Sequence, residues 1–251
     1  MPVRRRSTSV RRATLPREPQ DPRYAAPSHV VTTDLMSLLA GVREIVPEQQ
    51  TRLGFDGNST WCAGDVSLVR QPAVAIVGTR KASAEGAARA RRLGRELAVA
   101  GVVVVSGLAR GVDTEALTAA MGAGGRVIAV IGTPIDKAYP AENKRLQERI
   151  YREHLLISQF EAGRRVFQGN FPERNKLMAA ITDATAIIEA GEASGTLHQA
   201  AECVRLRRWL FIPRSVMDDP LLRWPDRFRQ EATVRILTDT ADILSVLPSR
   251  P

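Results

Sequence analysis

The chain has 251 residues, 44% of them hydrophobic and 25% charged, enough apolar material for one α/β domain with a real core and small additions. No apolar run approaches a membrane span, Cys62 and Cys203 lack CxxC spacing, and His29, His154 and His198 lack metal-ligand spacing. These features argue against a membrane protein, a disulfide framework and a metal site, so a reducing cytoplasm is the expected setting. The formal net charge of +9 points to a polyanion partner, most simply nucleic acid.

Residues 1–28 are rich in Arg, Pro and Ser and poor in large apolar groups, the composition of a disordered basic tail. Such a tail adds non-specific affinity for phosphate backbones. Its Arg- and Ser-rich start resembles a transit peptide, but Pro2 and Pro16 interrupt a long amphipathic helix, which favours a solvated tail. Residues 29–70 form a small N-terminal extension, too short for a large core of its own, that packs on the main domain. Thr33 to Leu39 suggests a short helix capped by Asp or Thr, Gly54, Gly57 and Gly64 break the next stretch, and Asp65 to Val69 is expected as a strand.

From residue 72 onwards the alternation is clear. Short apolar runs predict strands over 73–77, 102–105, 126–131, 155–159, 185–189 and 209–212. Helical stretches fall near 83–100, 112–122, 142–152, 173–182 and 195–207, and a final strand and helix near 233–237 and 240–247. Strands alternating with helices imply an α/β fold, an extended Rossmann-like, doubly wound, mostly parallel sheet, over 71–251.

In such a sheet ligands bind beyond the carboxyl ends of the strands, so the loops there are read together. The first, Gly78-Thr79-Arg80, opens a helix near Ser83. Gly78 lets the backbone approach a ligand, Thr79 offers a hydroxyl and an amide, and Arg80 forms a two-pronged contact with phosphate. Ser106 and Gly107 in the second loop present backbone amides, Arg110 adds a cation, and Asp113 caps the next helix or holds Arg110. The third carries Gly132 and Tyr139-Pro140, with Tyr139 packing or stacking. The fourth, Asn170 to Asn175, places Pro172, Arg174 and Asn175 in a first helical turn, after Phe171, a candidate platform for an unpaired base. In the fifth, Glu189 to Thr196, the trio Ser194, Gly195 and Thr196 supplies donors at a positive helix end. Each loop alone also fits an ordinary turn. Five together describe a phosphate-binding edge in which an Arg occupies the place where a dinucleotide site would carry glycine, so NAD or FAD is not expected.

Residues 72–213 resemble the DNA-processing protein A (DprA/Smf) family. The resemblance rests on Gly78-Thr79-Arg80 with Ser83 and Gly86, SGLARGVD at 106–113, Tyr139-Pro140 with Asn143, FPERN at 171–175 and EAGEASGT at 189–196. It implies a homodimeric single-stranded DNA-binding protein without enzymatic activity, cofactor or metal. It also implies protection of incoming DNA and loading of a RecA-type recombinase during natural transformation. By position it assigns phosphate contacts to Gly78, Thr79, Arg80, Arg174, Asn175, Ser194, Gly195 and Thr196.

Three positions depart from the family pattern: Thr79 stands for the usual Ser, Gln159 for a Glu, and Arg214 for the Gly after Pro213. About forty residues stand in place of the family's N-terminal helical domain, and no room remains for a winged helix after Leu247. DNA binding therefore carries over better than recombinase loading. The alternatives are a LOG-like nucleoside monophosphate phosphoribohydrolase, with Glu202 as its acid/base and Glu189 or Glu192 as weaker candidates, or a nucleotide-sensing module.

Overall fold

The computed structural model describes residues 24–40 and 59–248. Most of the basic tail and the glycines at 54 and 57 lie outside the described residues. The strands are β1 (Val31–Asp34), β2 (Ser59–Gly64), β3 (Ala73–Val77), β4 (Val103–Ser106), β5 (Val127–Ile131), β6 (Leu155–Ser158), β7 (Ala184–Ile187), β8 (Trp209–Pro213) and β9 (Val234–Leu237). The helices are α1 (Leu35–Leu39), α2 (Ala84–Val99), α3 (Val112–Gly122), α4 (Lys144–Glu153), α5 (Asn170–Ile181), α6 (Thr196–Arg205), α7 (Arg214–Met217) and α8 (Thr240–Leu244).

All nine strands form one sheet in the order β1-β2-β6-β5-β4-β3-β7-β8-β9. The seven from β6 to β9 in that order run parallel, as the sequence predicts. Every residue of β3, AVAIV, is buried, because helices cover both faces of a parallel sheet. The core has two halves accordingly. One holds Leu93 and Leu97 of α2 with Leu117 of α3, the other Leu177 of α5 with Ala200 and Cys203 of α6.

The N-terminal extension departs from expectation. Val31–Asp34 and Ser59–Gly64 pair antiparallel and add two strands beyond β6. The strand expected at Asp65 to Val69 is a 3₁₀ helix over Val66–Arg70. Its cause is local: the Asp65 carboxylate accepts the Ser67 amide at 3.0 Å, a turn-forming bond that curls the chain. The short helix at Leu35–Leu39 forms as read, with Asp34 accepting the Ser37 amide at 2.9 Å.

His154, between α4 and β6, is buried, and neither ring nitrogen has a hydrogen-bond partner among the described residues. Burial first, then nearby Arg126, lowers its pKa from the ordinary 6.5. The folded state thus prefers the neutral ring, while the unfolded chain protonates first as pH falls. This stabilising contribution is complete above the unfolded pKa and is lost as pH falls through the folded one. The thermal midpoint should decline from pH 7 to 5.5, and less steeply in His154→Leu. Parallel profiles would contradict the assignment.

Candidate nucleic-acid interface

The chain runs outward from β3 through β4 and β5 to β6, then returns to place β7 on the other side of β3. The loops leaving β3 and β7 diverge there, which opens a crevice at the carboxyl edge. Gly78 turns the first loop. A Cβ at this position would lie 2.6 Å from Val112 Cγ2 and 2.9 Å from the Glu189 carbonyl oxygen, so only glycine fits. The Thr79 amide donates to the Glu189 carbonyl at 2.7 Å, and the Thr79 carbonyl accepts the Val112 amide at 3.3 Å. Ser83, the N-cap of α2, donates its hydroxyl to the Glu189 carboxylate at 2.8 Å. Arg80 and Lys81 are left exposed on a loop held at both ends.

The loop after β4 is held by Asp113. Its carboxylate accepts the amides of Gly107 at 3.1 Å and Ala109 at 3.2 Å. Asp113 thus neither caps α3, whose N-cap is Gly111, nor holds Arg110. Asn143 completes the fastening, donating to the Leu108 carbonyl at 2.9 Å and to the Thr114 hydroxyl at 2.8 Å.

Helix α5 begins at Asn170, three residues before the expected start. Arg174 and Asn175 therefore fall in the second turn, and both are buried. Arg174 donates Nη1 to the Val130 carbonyl at 2.8 Å, and its guanidinium packs on Gly107, where a Cβ would lie 1.8 Å from Nη1. Its Nε has no hydrogen-bond partner among the described residues. Burial pulls the Arg174 pKa down to about 10, while Asp113 opposes that shift and Arg80 adds to it. It remains a cation at neutral pH. Burial pushes the Asp113 carboxyl up, against the pull of Arg174 and the two amide bonds.

Two clefts result. The larger, of about 500 Å³, lies between Gly78-Thr79-Arg80 and the start of α6, with Arg174, Asn175, Ser194, Gly195 and Thr196 in its walls. Asn175 donates to the Gly195 carbonyl at 3.2 Å, and Thr196 donates to the Gly78 carbonyl at 3.2 Å, so the walls brace one another. Neither α5 nor α6 has a side-chain cap bond at its N-cap. The smaller cleft, of about 230 Å³, is lined by Gly107, Arg110, Gly132 and Tyr139. Both clefts share Arg80, Lys81, Ala109, Phe171 and Arg174. Phe171 stands at the junction, with the Arg80 guanidinium 5.5 Å from its ring centre and Tyr139 5.6 Å away, ring centre to ring centre.

Eleven of the twelve predicted site residues line the two clefts, with Arg174, Asn175 and Thr196 buried in their walls. The Thr79 and Gly107 amides, expected to face a ligand, are instead taken by the Glu189 carbonyl and the Asp113 carboxylate. Ser106 and Arg110 differ from expectation as well. Ser106 is fully buried, and its hydroxyl donates to the Ile76 carbonyl at 2.7 Å, so it braces β4 against β3 instead of facing the cleft. Arg110 lines the smaller cleft with its guanidinium paired to Glu142. Sequence reasoning missed Lys81, although a second cation directly after Arg80 was a readable signal.

The three carboxylates considered for a hydrolase are occupied by other groups. Glu189 holds Ser83, Glu192 accepts the Trp224 amide at 3.0 Å, and Glu202 pairs with Arg205. Among the described residues no cluster of His, Cys, Asp or Glu could hold a metal ion, and no helix is long and apolar enough to cross a membrane.

Residues 45–248 match the family model of DNA recombination-mediator protein A, and the chain belongs to that family. It is 39% identical to DNA processing protein DprA of Streptococcus pneumoniae over 156 residues, covering 62% of this chain and 55% of that protein. The X-ray structure of DprA from S. pneumoniae aligns with a TM-score of 0.70 at 32% identity, covering 77% of this chain and 68% of that one. DNA processing protein A from Helicobacter pylori, whose structure was described for its single-stranded DNA binding mode, aligns at 0.68 with 25% identity, covering 86% and 94%. The chain spans only about half the length of the curated S. pneumoniae relative.

Proposed function

We propose that this member of the family binds single-stranded DNA along the carboxyl edge of the sheet, as a cytoplasmic homodimer that hands the strand to a RecA-type recombinase. The carrying observation is the pair of clefts that meet at Phe171 under Arg80, Lys81 and Arg174. Two adjoining clefts with exposed Arg80 and Lys81, a buried Arg174 in their shared wall and an aromatic ring at their junction suit a strand that presents phosphates and unpaired bases by turns. Two touching clefts also suit a chain of nucleotides better than a single mononucleotide. The binding mode described for the H. pylori relative supports the substrate, and the family's description as a recombination mediator supports the partner. Residues 71–251 carry the DNA contacts in this reading, with 29–70 as an extension and 1–28 as a basic tail.

Gly78, Thr79 and Arg80 take one phosphate, and Arg174 and Asn175 stand behind it. Ser194, Gly195 and Thr196 close the site at the positive end of α6. Gly107 and Arg110 flank the neighbouring cleft. No enzymatic step is assigned. Arg80→Ala should weaken oligo-dT binding by about fivefold or more, the cost of one charge-assisted contact of roughly 1 kcal/mol. The slope of log affinity against log salt should become shallower by about 0.7. Fluorescence anisotropy across a salt series reads both, and unchanged affinity would remove Arg80 from the site.

A further inference from the structure

The carboxyl edge carries a second basic cleft, of about 160 Å³, at the ends of β8 and β9. Its cations are Arg89 and Arg92 from α2 and Arg214 from the start of α7, and its apolar floor includes Leu93, Pro213 and Leu237. Among the described residues each arginine meets only an i,i+4 carboxylate, at the far limit of an ion pair: Arg89 to Glu85 at 3.9 Å, Arg92 to Glu96 at 3.9 Å and Arg214 to Asp218 at 3.8 Å. Exposed pairs of this kind release their cations readily. The carboxylates around the rim are engaged more firmly. Asp239 accepts the Ala241 amide at 2.7 Å, and Asp242 accepts the Thr238 amide at 2.7 Å and the Asp239 amide at 3.0 Å. Glu96 takes the Thr240 hydroxyl. Three arginines against one carboxylate, Asp239, thus line the cleft over an apolar floor, a combination suited to the phosphates and sugars of a nucleic-acid backbone.

The location matters as much as the charge. Strands β3, β7, β8 and β9 are parallel and adjacent, so the ends of β8 and β9 continue the edge on which the Gly78 cleft lies. The N-terminus of α2, tied to the Glu189 loop through Ser83, leads from one cleft to the other, since Arg89 and Arg92 lie further along the same helix.

We infer that Arg89, Arg92 and Arg214 form a second phosphate-binding site that takes the backbone of a DNA strand leaving the Gly78 cleft. The inference rests on the proposed binding of single-stranded DNA and extends its path. The test compares the protein with the triple variant Arg89→Ala/Arg92→Ala/Arg214→Ala, using dT6 and dT30 in anisotropy salt series. With dT30 the triple variant should bind at least about tenfold more weakly at low salt, and its salt slope should be shallower by about 2, the sum for three backbone contacts. With dT6, which Arg80 and its neighbours hold, binding should be unchanged. The triple Arg→Lys variant should restore the slope.

Unchanged dT30 affinity and slope in the triple Ala variant would overturn the inference, while weakening by Arg80→Ala would still support the Gly78 cleft. Equal loss with dT6 and dT30 would also overturn it. So would a rise in thermal midpoint with inorganic phosphate that the triple variant abolishes without any effect of oligonucleotide length, because the site would then bind free phosphate. If Arg80→Ala leaves dT6 binding intact, the Gly78 reading fails separately.

Discussion

Asp113→Ala should lower stability by about 2–4 kcal/mol, since a buried donor that loses its acceptor costs roughly 1–3 kcal/mol and two loop amides lose theirs. The buried Gly107 amide and the half-buried Ala109 amide lose their acceptor, and the buried Arg174 loses the nearby negative charge that favours its cationic form. Arginine cannot escape by neutralising itself, because even pulled down to about 10 it is charged at neutral pH. For a chain of this size the thermal midpoint should fall by roughly 10 °C. Arg174→Met should cost less. It leaves Asp113, whose carboxyl is already pushed up by burial and which sheds its charge by taking a proton. Thermal unfolding of both variants at pH 7 checks the order. A midpoint for Asp113→Ala equal to or above that of Arg174→Met would contradict the account of this pair.

Phe171→Ala should weaken oligo-dT binding by about 1–3 kcal/mol, the range for one base stacked on an aromatic ring. Phe171 stands where the two clefts meet, and its ring also carries the Arg80 guanidinium 5.5 Å from its centre. Losing the ring removes a stacking surface and frees Arg80 from one orientation, but it removes no cation. Affinity should therefore fall with the salt slope nearly unchanged, whereas Arg80→Ala lowers both. Phe171→Tyr should keep most of the affinity, and Phe171→Leu, which fills the space beside Gly132 without a π face, should not. A Leu variant that binds like the original would make Phe171 a packing residue only.

Much of this site was legible because it lies on parallel strands. A buried run such as AVAIV followed by Gly-Thr-Arg marks a strand end, and parallel strands bring their ends to one edge, so separate loops combine without coordinates. What stayed hidden depended on partners distant in sequence. Nothing in SGLARGVD shows that the Ser106 hydroxyl turns back to Ile76, thirty residues earlier, or that Arg110 meets Glu142, thirty-two residues later. Asp113 resembles a cap because it sits near a helix start, but Gly111 takes that place and the carboxylate folds back on its own loop. β2 escapes a sequence reading because Gly64 marks a break, while Thr60, Cys62 and Ala63 are buried against strands that the sequence does not place beside it. There Gly64, at φ +106°, lies against the His154 carbonyl, where a Cβ would meet the oxygen at 2.0 Å.

The most direct test of the central claim is the affinity of the full chain for a dT oligonucleotide and for duplex DNA of equal length, each followed by anisotropy from low to moderate salt. Binding by the carboxyl-edge clefts predicts tight binding of the single strand at low salt, steep weakening as salt rises, and much poorer binding of the duplex, whose bases are not free to stack on Phe171. Absence of single-strand binding at low salt, or equal affinity for the duplex, would contradict it.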